Sequence, residues 1–207
     1  MIGILPIGRA PNSTKKYVTF FWSMPTKSYQ EWRNNGLDPW KERVLNYWPE
    51  IEPFITQFTS LDDLAFAEYS DIIMENWHIE KMAFIGDASH CTSPQLGQGA
   101  NLGIIDAMQL SQCLKVSDNV DMALNYYNKE RFGHIRFYQT TSRWLTPFFQ
   151  SDSIIAAWMR DRVFNIMCNT PYIRTEMIRT LSGMKNGLFS HINPGIWHER
   201  YNLNKTL

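Results

Sequence analysis

Residues 86–107 read GDASHCTSPQLGQGANLGIIDA. Just before them, residues 81–85 (KMAFI) form a short apolar run that stops at Gly86-Asp87. After the loop, Leu102, Ile105, Leu110 and Leu114 recur at helical spacing over residues 100–114 and can share part of one buried surface. The layout is strand, loop, helix, which aims backbone N–H groups at a ligand. Asp87, at the strand end, offers a carboxylate to sugar-like hydroxyls. Gly97 and Gly99 remove bulk on either side of Gln98, so a flat ligand can approach the amides closely. Gly99, Ala100 and Asn101 open the helix, whose unpaired N–H groups and positive dipole end favour an electron-rich group. Pro94 stiffens the loop, and small Ala107, beside Asp106, admits a close neighbour.

The string resembles the second FAD-binding motif of the group A flavoprotein monooxygenases, the family that includes p-hydroxybenzoate hydroxylase and the ubiquinone-biosynthesis hydroxylases. Their pattern is a G-D followed by A-x-H, a proline, G-Q-G, an asparagine and a D-A in the helix. Here those elements are Gly86-Asp87-Ala88, His90, Pro94, Gly97-Gln98-Gly99, Asn101 and Asp106-Ala107. Weaker likenesses are Trp77 upstream, the segment YYNKER that ends at Arg131, and the pair Arg160-Asp161. The resemblance implies that Asp87 holds the ribityl chain of FAD and that Pro94 lies near the reacting face. It implies that the backbone of Gln98, Gly99, Ala100 and Asn101 faces the pyrimidine edge of the isoalloxazine, with Gly86 and Gly97 shaping the approach. The helix start would then stabilise negative charge on reduced flavin. The implied activity is an FAD-dependent monooxygenase that uses NAD(P)H and O2, through a flavin C4a-hydroperoxide, to oxygenate a small organic, aromatic substrate. No catalytic side chain is singled out.

Working outward, the fold class expected is α+β with α/β character: a partial Rossmann-like FAD-binding domain, a substrate-domain sheet and C-terminal helices. Residues 1–76 are read as part of that sheet with its helices, 77–118 as the second FAD-binding motif, and 119–207 as helices and a tail. In the first part, apolar residues 2–7 and the β-branched and aromatic run 16–24 flank the turn-forming PNST, which predicts a hairpin. Short helices are expected over 28–34 and 39–47, and a strand over 64–73. By the resemblance one sheet face looks at the flavin, so Phe20 and Trp22, at strand spacing, are the substrate candidates. In the third part, a long helix over 120–139 is followed by a proline break over 145–150. Helices over 153–167 and 172–182 follow, the first capped by Asp152 or Ser153 and the second opened by Pro171. Beyond Gly187 an irregular polar tail is expected.

Composition sets limits. The chain has 207 residues with 20 basic and 20 acidic side chains, a balance that argues against nucleic-acid binding by phosphate neutralisation and against a polybasic membrane anchor. No apolar run approaches the ~18 residues of a membrane span, and the start lacks the layout of a signal peptide. Three cysteines without CxxC spacing fit a reducing cytoplasm better than a disulfide framework or a zinc site. His90, Cys91 and Asp87 are not a complete ligand set, so no metal is expected, and the His90 imidazole is expected to bond loop backbone. Ser89 lacks the flanking glycines of a nucleophile elbow. Arg131, Arg136, Arg160 and Arg162 are read as salt-bridged or solvated rather than as substrate ligands.

One departure is large. The family's opening G-x-G-x-x-G unit and its middle D-G motif are absent from these residues. The chain therefore looks like the C-terminal portion of such an enzyme, and by itself is expected to hold FAD weakly or not at all. A homo-oligomer or a complementing N-terminal half stands as the expected partner. Alternatives are another flavoprotein of the same superfamily, such as a halogenase or prenyl reductase, and a non-catalytic remnant or interaction module.

Overall fold

In a computed structural model, residues 1–150 and 153–192 are described. The chain divides into two compact units, Met1–Glu68 and Tyr69–Leu207.

The first unit opens with the expected hairpin: β1 (Ile2–Arg9) pairs antiparallel with β2 (Lys16–Trp22), with Ile2 opposite Trp22 and Ile4 opposite Phe20. The ladder slips between Pro6 and Gly8, where a residue without an N–H is accommodated by a bulge. Alternation puts Ile2, Ile4, Phe20 and Trp22 on one face. That face packs against Trp40, Val44, Ile51 and Ile55 from three helical pieces. These are α2 (Leu37–Tyr47), a 3₁₀ turn (Pro49–Ile51) and α3 (Glu52–Ile55). Helix α1 (Tyr29–Asn35) precedes them and is set off from α2 by Gly36 at φ 85°. On the other face the Phe21 ring lies across Gly3, where an added Cβ would meet it at 2.4 Å.

The strand expected over 64–73 is not formed. Residues 65–74 have no regular structure, and only Leu64 joins the first core. The backbone of Ile72 shows the reason: its N–H donates to the Cys91 carbonyl at 2.8 Å and its carbonyl accepts from the Gln139 side chain at 2.7 Å. Those groups tie a connector to a loop and a helix, and none is left for a ladder.

Among its described residues the second unit has helices and two short strands, β3 (His78–Ile79) and β4 (Met82–Ala83), an antiparallel pair turning at Glu80, φ 51°. The strand expected over 81–85 is thus reduced to two residues with an antiparallel neighbour. A single turn, α4 (Asp87–His90), and a 3₁₀ turn (Pro94–Leu96) lead into α5 (Gly99–Val116). Asn119 caps α6 (Val120–Gln150) through Oδ1 on the Met122 N–H at 2.9 Å. The break expected over 145–150 does not occur: α6 runs through Pro147 to Gln150, and the missing N–H falls in the final turn, where one lost bond matters least. Ser153 caps α7 (Ile154–Asn169), the alternative Asp152 lying outside the described residues, and Pro171 opens α8 (Pro171–Leu181). Past α8, Ile192 N–H bonds the Met184 carbonyl at 2.7 Å and Lys185 bridges His191; residues 188–190 between them are in no helix or strand, and the rest of the expected tail, 193–207, lies outside the described residues. Trp77, Leu96, Leu102, Cys113, Tyr127, Ile135 and Tyr138 form the core between α5 and α6.

Candidate functional site

The loop before α5 is built around one buried carboxylate. Asp106 is fully buried, and its Oδ2 accepts the Gly86 N–H at 2.8 Å and bonds His90 Nε2 at 2.6 Å. Its Oδ1 accepts from Arg131 Nε at 2.8 Å. Burial alone would raise this carboxyl. The bond to His90, the Arg131 charge and the Gly86 N–H together hold it below the ordinary range. The His90 imidazole therefore bonds a carboxylate rather than loop backbone, correcting the expectation. Gly86 sits at φ 57° and lies against Gly103 of α5, where a Cβ on either glycine would meet the other's Cα at 3.6–3.7 Å. The two glycines let the strand end touch the helix.

Arg131 extends the network. It bonds His134 Nδ1, and its Nη2 donates to the Leu102 carbonyl at 3.4 Å. His134 Nε2 lies 3.0 Å from the Gly183 carbonyl. Donation to that carbonyl from Nε2 leaves Nδ1 as the acceptor, a neutral tautomer. Burial, then the Arg131 charge, push His134 down to about 4. Sequence reasoning placed Arg131 among salt-bridged residues, correctly, but did not find His134 or Gly183. The available signal was Arg131 and His134 three apart on one face of a helix that also carries core residues.

At the mouth of the loop, Asp87 is exposed, and a Cβ on Gly99 would meet its Oδ1 at 3.6 Å. Pro94 is exposed and opens the 3₁₀ turn, which Gly97 ends in the left-handed region at φ 61° with open space around its Cβ direction. Gln98 stands at the N-cap of α5 but its side chain accepts from none of the helix's backbone N–H groups, so those of exposed Gly99 and Ala100 receive no side-chain cap from it. The Gln98 amide points elsewhere: Nε2 donates to the Leu181 carbonyl at 2.7 Å, while Oε1 accepts from Asn101 Nδ2 at 2.8 Å. Asn101 Nδ2 also reaches the Ser182 carbonyl at 3.4 Å. Along this loop and helix start Asp87, Pro94, Gly97, Gly99 and Ala100 are exposed, Gly86 and Asn101 half-buried and Gln98 buried, with the Asp87 carboxylate beside Gly99. Phe20 and Trp22 lie in the other unit, half-buried against Trp40 at 5.7 and 6.4 Å between ring centres. Among the described residues no cluster of three His, Cys, Asp or Glu side chains is placed to hold a metal, and no helix is long and apolar enough to cross a membrane.

The loop before α5 suits a flavin in three respects: an α5 start without a side-chain cap, glycines at 97 and 99 whose missing side chains leave room, and a carboxylate beside that start. The chain matches the FAD binding domain family over residues 10–142 and belongs to it. Among curated relatives, a flavin-dependent monooxygenase of an unknown prokaryotic organism is 25% identical over 157 residues, 75% of this chain and 41% of the relative. An FAD-dependent monooxygenase of Aspergillus versicolor is 29% identical over 139 residues, 64% of this chain and 31% of the relative. Of solved structures, Klebsiella pneumoniae HpxO complexed with FAD and uric acid aligns with a TM-score of 0.60 at 17% identity, covering 83% of this chain and 44% of that one. The tetracycline destructase Tet(55) aligns at 0.55 and 22% identity, covering 85% and 45%. At those identities the likeness is one of fold. The chain spans less than half the length of each of these relatives.

Proposed function

We propose that this chain is the part of an FAD-dependent monooxygenase that grips the flavin ring and ribityl chain. The observation that carries the reading is the α5 start: N–H groups without a side-chain cap, glycine-lined, with the Asp87 carboxylate alongside. When bound, FAD supplies redox and oxygen-transfer chemistry. The chain's own residues bind and orient it. Asp87 accepts hydrogen bonds from ribityl hydroxyls. The N–H groups of Gly99 and Ala100 face the electron-rich edge of the ring, and the helix dipole favours negative charge there. Gly86 and Gly97 hold the turns that let the ring approach, and Pro94 borders its face. Gln98 and Asn101 contribute backbone at the ring, since their side chains are engaged by the α8 end. Reduction by NAD(P)H, the use of O2, and a small aromatic substrate complete the reading. So does the view of residues 77–118 as one piece of a larger Rossmann-like domain. Phe20 and Trp22 contribute whatever ring edges their packing on Trp40 leaves open.

The test is an amide NMR titration of the chain with FAD, a method that registers weak binding. We expect saturable shifts concentrated at Gly97, Gly99, Ala100 and Asn101, with affinity falling about tenfold or more in Asp87→Ala, as expected for losing a charge-assisted hydrogen bond. No saturable shifts, or shifts that Asp87→Ala leaves unchanged, overturn the reading.

A further inference from the structure

The last carbonyls of a helix lack intrahelical donors and must find others. At the end of α8 part of that need is met locally by a glycine turn: Gly183 N–H bonds the Thr180 carbonyl at 3.1 Å and Met184 N–H bonds that of Arg179 at 3.0 Å. This is a Schellman motif with Gly183 in the left-handed region at φ 78°. Of the carbonyls that follow, two meet the residues that open α5 and one meets α6. Those of Leu181 and Ser182 accept from Gln98 and Asn101, and that of Gly183 accepts from His134. Tyr138 holds the turn from beneath, its hydroxyl donating to the Thr180 carbonyl at 2.9 Å and accepting the Lys185 N–H at 3.2 Å. The negative end of α8 is thereby fastened to the first residues of α5, at that helix's positive end.

Space is as tight as the bonding. A Cβ on Gly183 would come within 2.1 Å of Asn101 Nδ2 and 3.2 Å of Gln98 Oε1. The atom that must yield is the Asn101 amide, which would leave both Gln98 and the Ser182 carbonyl.

We propose that the turn after α8 is a brace that sets the shape of residues 97–101, with Gly183 and Tyr138 as positioning residues that touch no ligand. The consequence for FAD rests on the reading of that loop given above. Gln98 and Asn101 are kept from rotating into the ring's space, and the Gly99 and Ala100 N–H groups are held in one direction.

The experiment is residue-resolved amide hydrogen exchange on the chain without FAD, for wild type, Gly183→Ala and Tyr138→Phe, followed by the FAD titration on each. We expect exchange at residues 97–102 to rise about tenfold together with exchange at 181–185. The hairpin and the middle of α6 should keep their wild-type rates, and apparent FAD affinity should fall in step. Faster exchange at 181–185 with wild-type rates at 97–102 overturns the brace, whatever FAD does. Coupled exchange in the variants with no FAD response from the wild-type chain leaves the brace standing and overturns the flavin reading. Should Gly183→Ala fail to fold, Tyr138→Phe, which removes one hydroxyl remote from the loop, decides alone.

Discussion

Asp106 concentrates the electrostatics of the second unit on two oxygens. Removing one partner of a buried ion pair leaves the other charged in a poor dielectric, a loss of about 3–5 kcal/mol. Asp106→Asn is expected to destabilise the chain by that order, because Arg131, itself only 3% exposed, loses its counter-charge. Urea unfolding of the two chains side by side measures it. His134 supplies a pH test with a definite sign. Its unfolded pKa is near 6.5 and its folded value about 4, so the unfolded chain binds more protons between those limits. Stability contributed by the neutral ring is present above pH 6.5 and is lost as pH falls towards 4. Between pH 7 and pH 5 the loss is about 2 kcal/mol. His134→Gln, which keeps a neutral donor and acceptor, is expected to flatten that slope, and unfolding midpoints at the two pH values check it.

Elements differ in how openly their residues announce them. The hairpin was legible because PNST and the aromatic run 16–22 need no distant partner, and α5 because its apolar spacing and opening glycines are local. Which sheet face meets what was not legible. Alternation puts Phe20 and Trp22 together, but only the packing of α2 shows that this face is already covered by Trp40. Residues 64–73 have the β-branched and aromatic content of a strand, and lack one because a strand requires a neighbour that composition cannot report. The loop's chemistry stood out as a string, whereas its fastening to Arg131, His134 and Gly183 joins residues far apart in the chain, beyond the reach of any local pattern. Caps are local, and their cost is predictable. Ser153 Oγ accepts the Ala156 N–H at 3.2 Å at the start of α7. Ser153→Ala is expected to lower stability by about 1 kcal/mol, readable as a small drop in the thermal midpoint.

At the scale of the molecule, two units joined by an irregular connector make a prediction about proteolysis. Phe66, Tyr69 and Ile73 are 46%, 60% and 47% exposed on backbone without regular structure. Chymotrypsin at low ratio is expected to cut first at Phe66 or Tyr69, giving two fragments that mass spectrometry separates at that boundary. First cuts within α5 or α6 would contradict the division. The unit from Tyr69 onward also has a temporal order written into its hydrogen bonds. The loop of residues 86–101 leaves the ribosome ahead of Arg131 and His134, and well ahead of Gly183, yet all three fix its form. Nascent chain ending short of residue 181 therefore presents residues 98 and 101 without the carbonyls of Leu181 and Ser182 that their side chains bond in the folded unit.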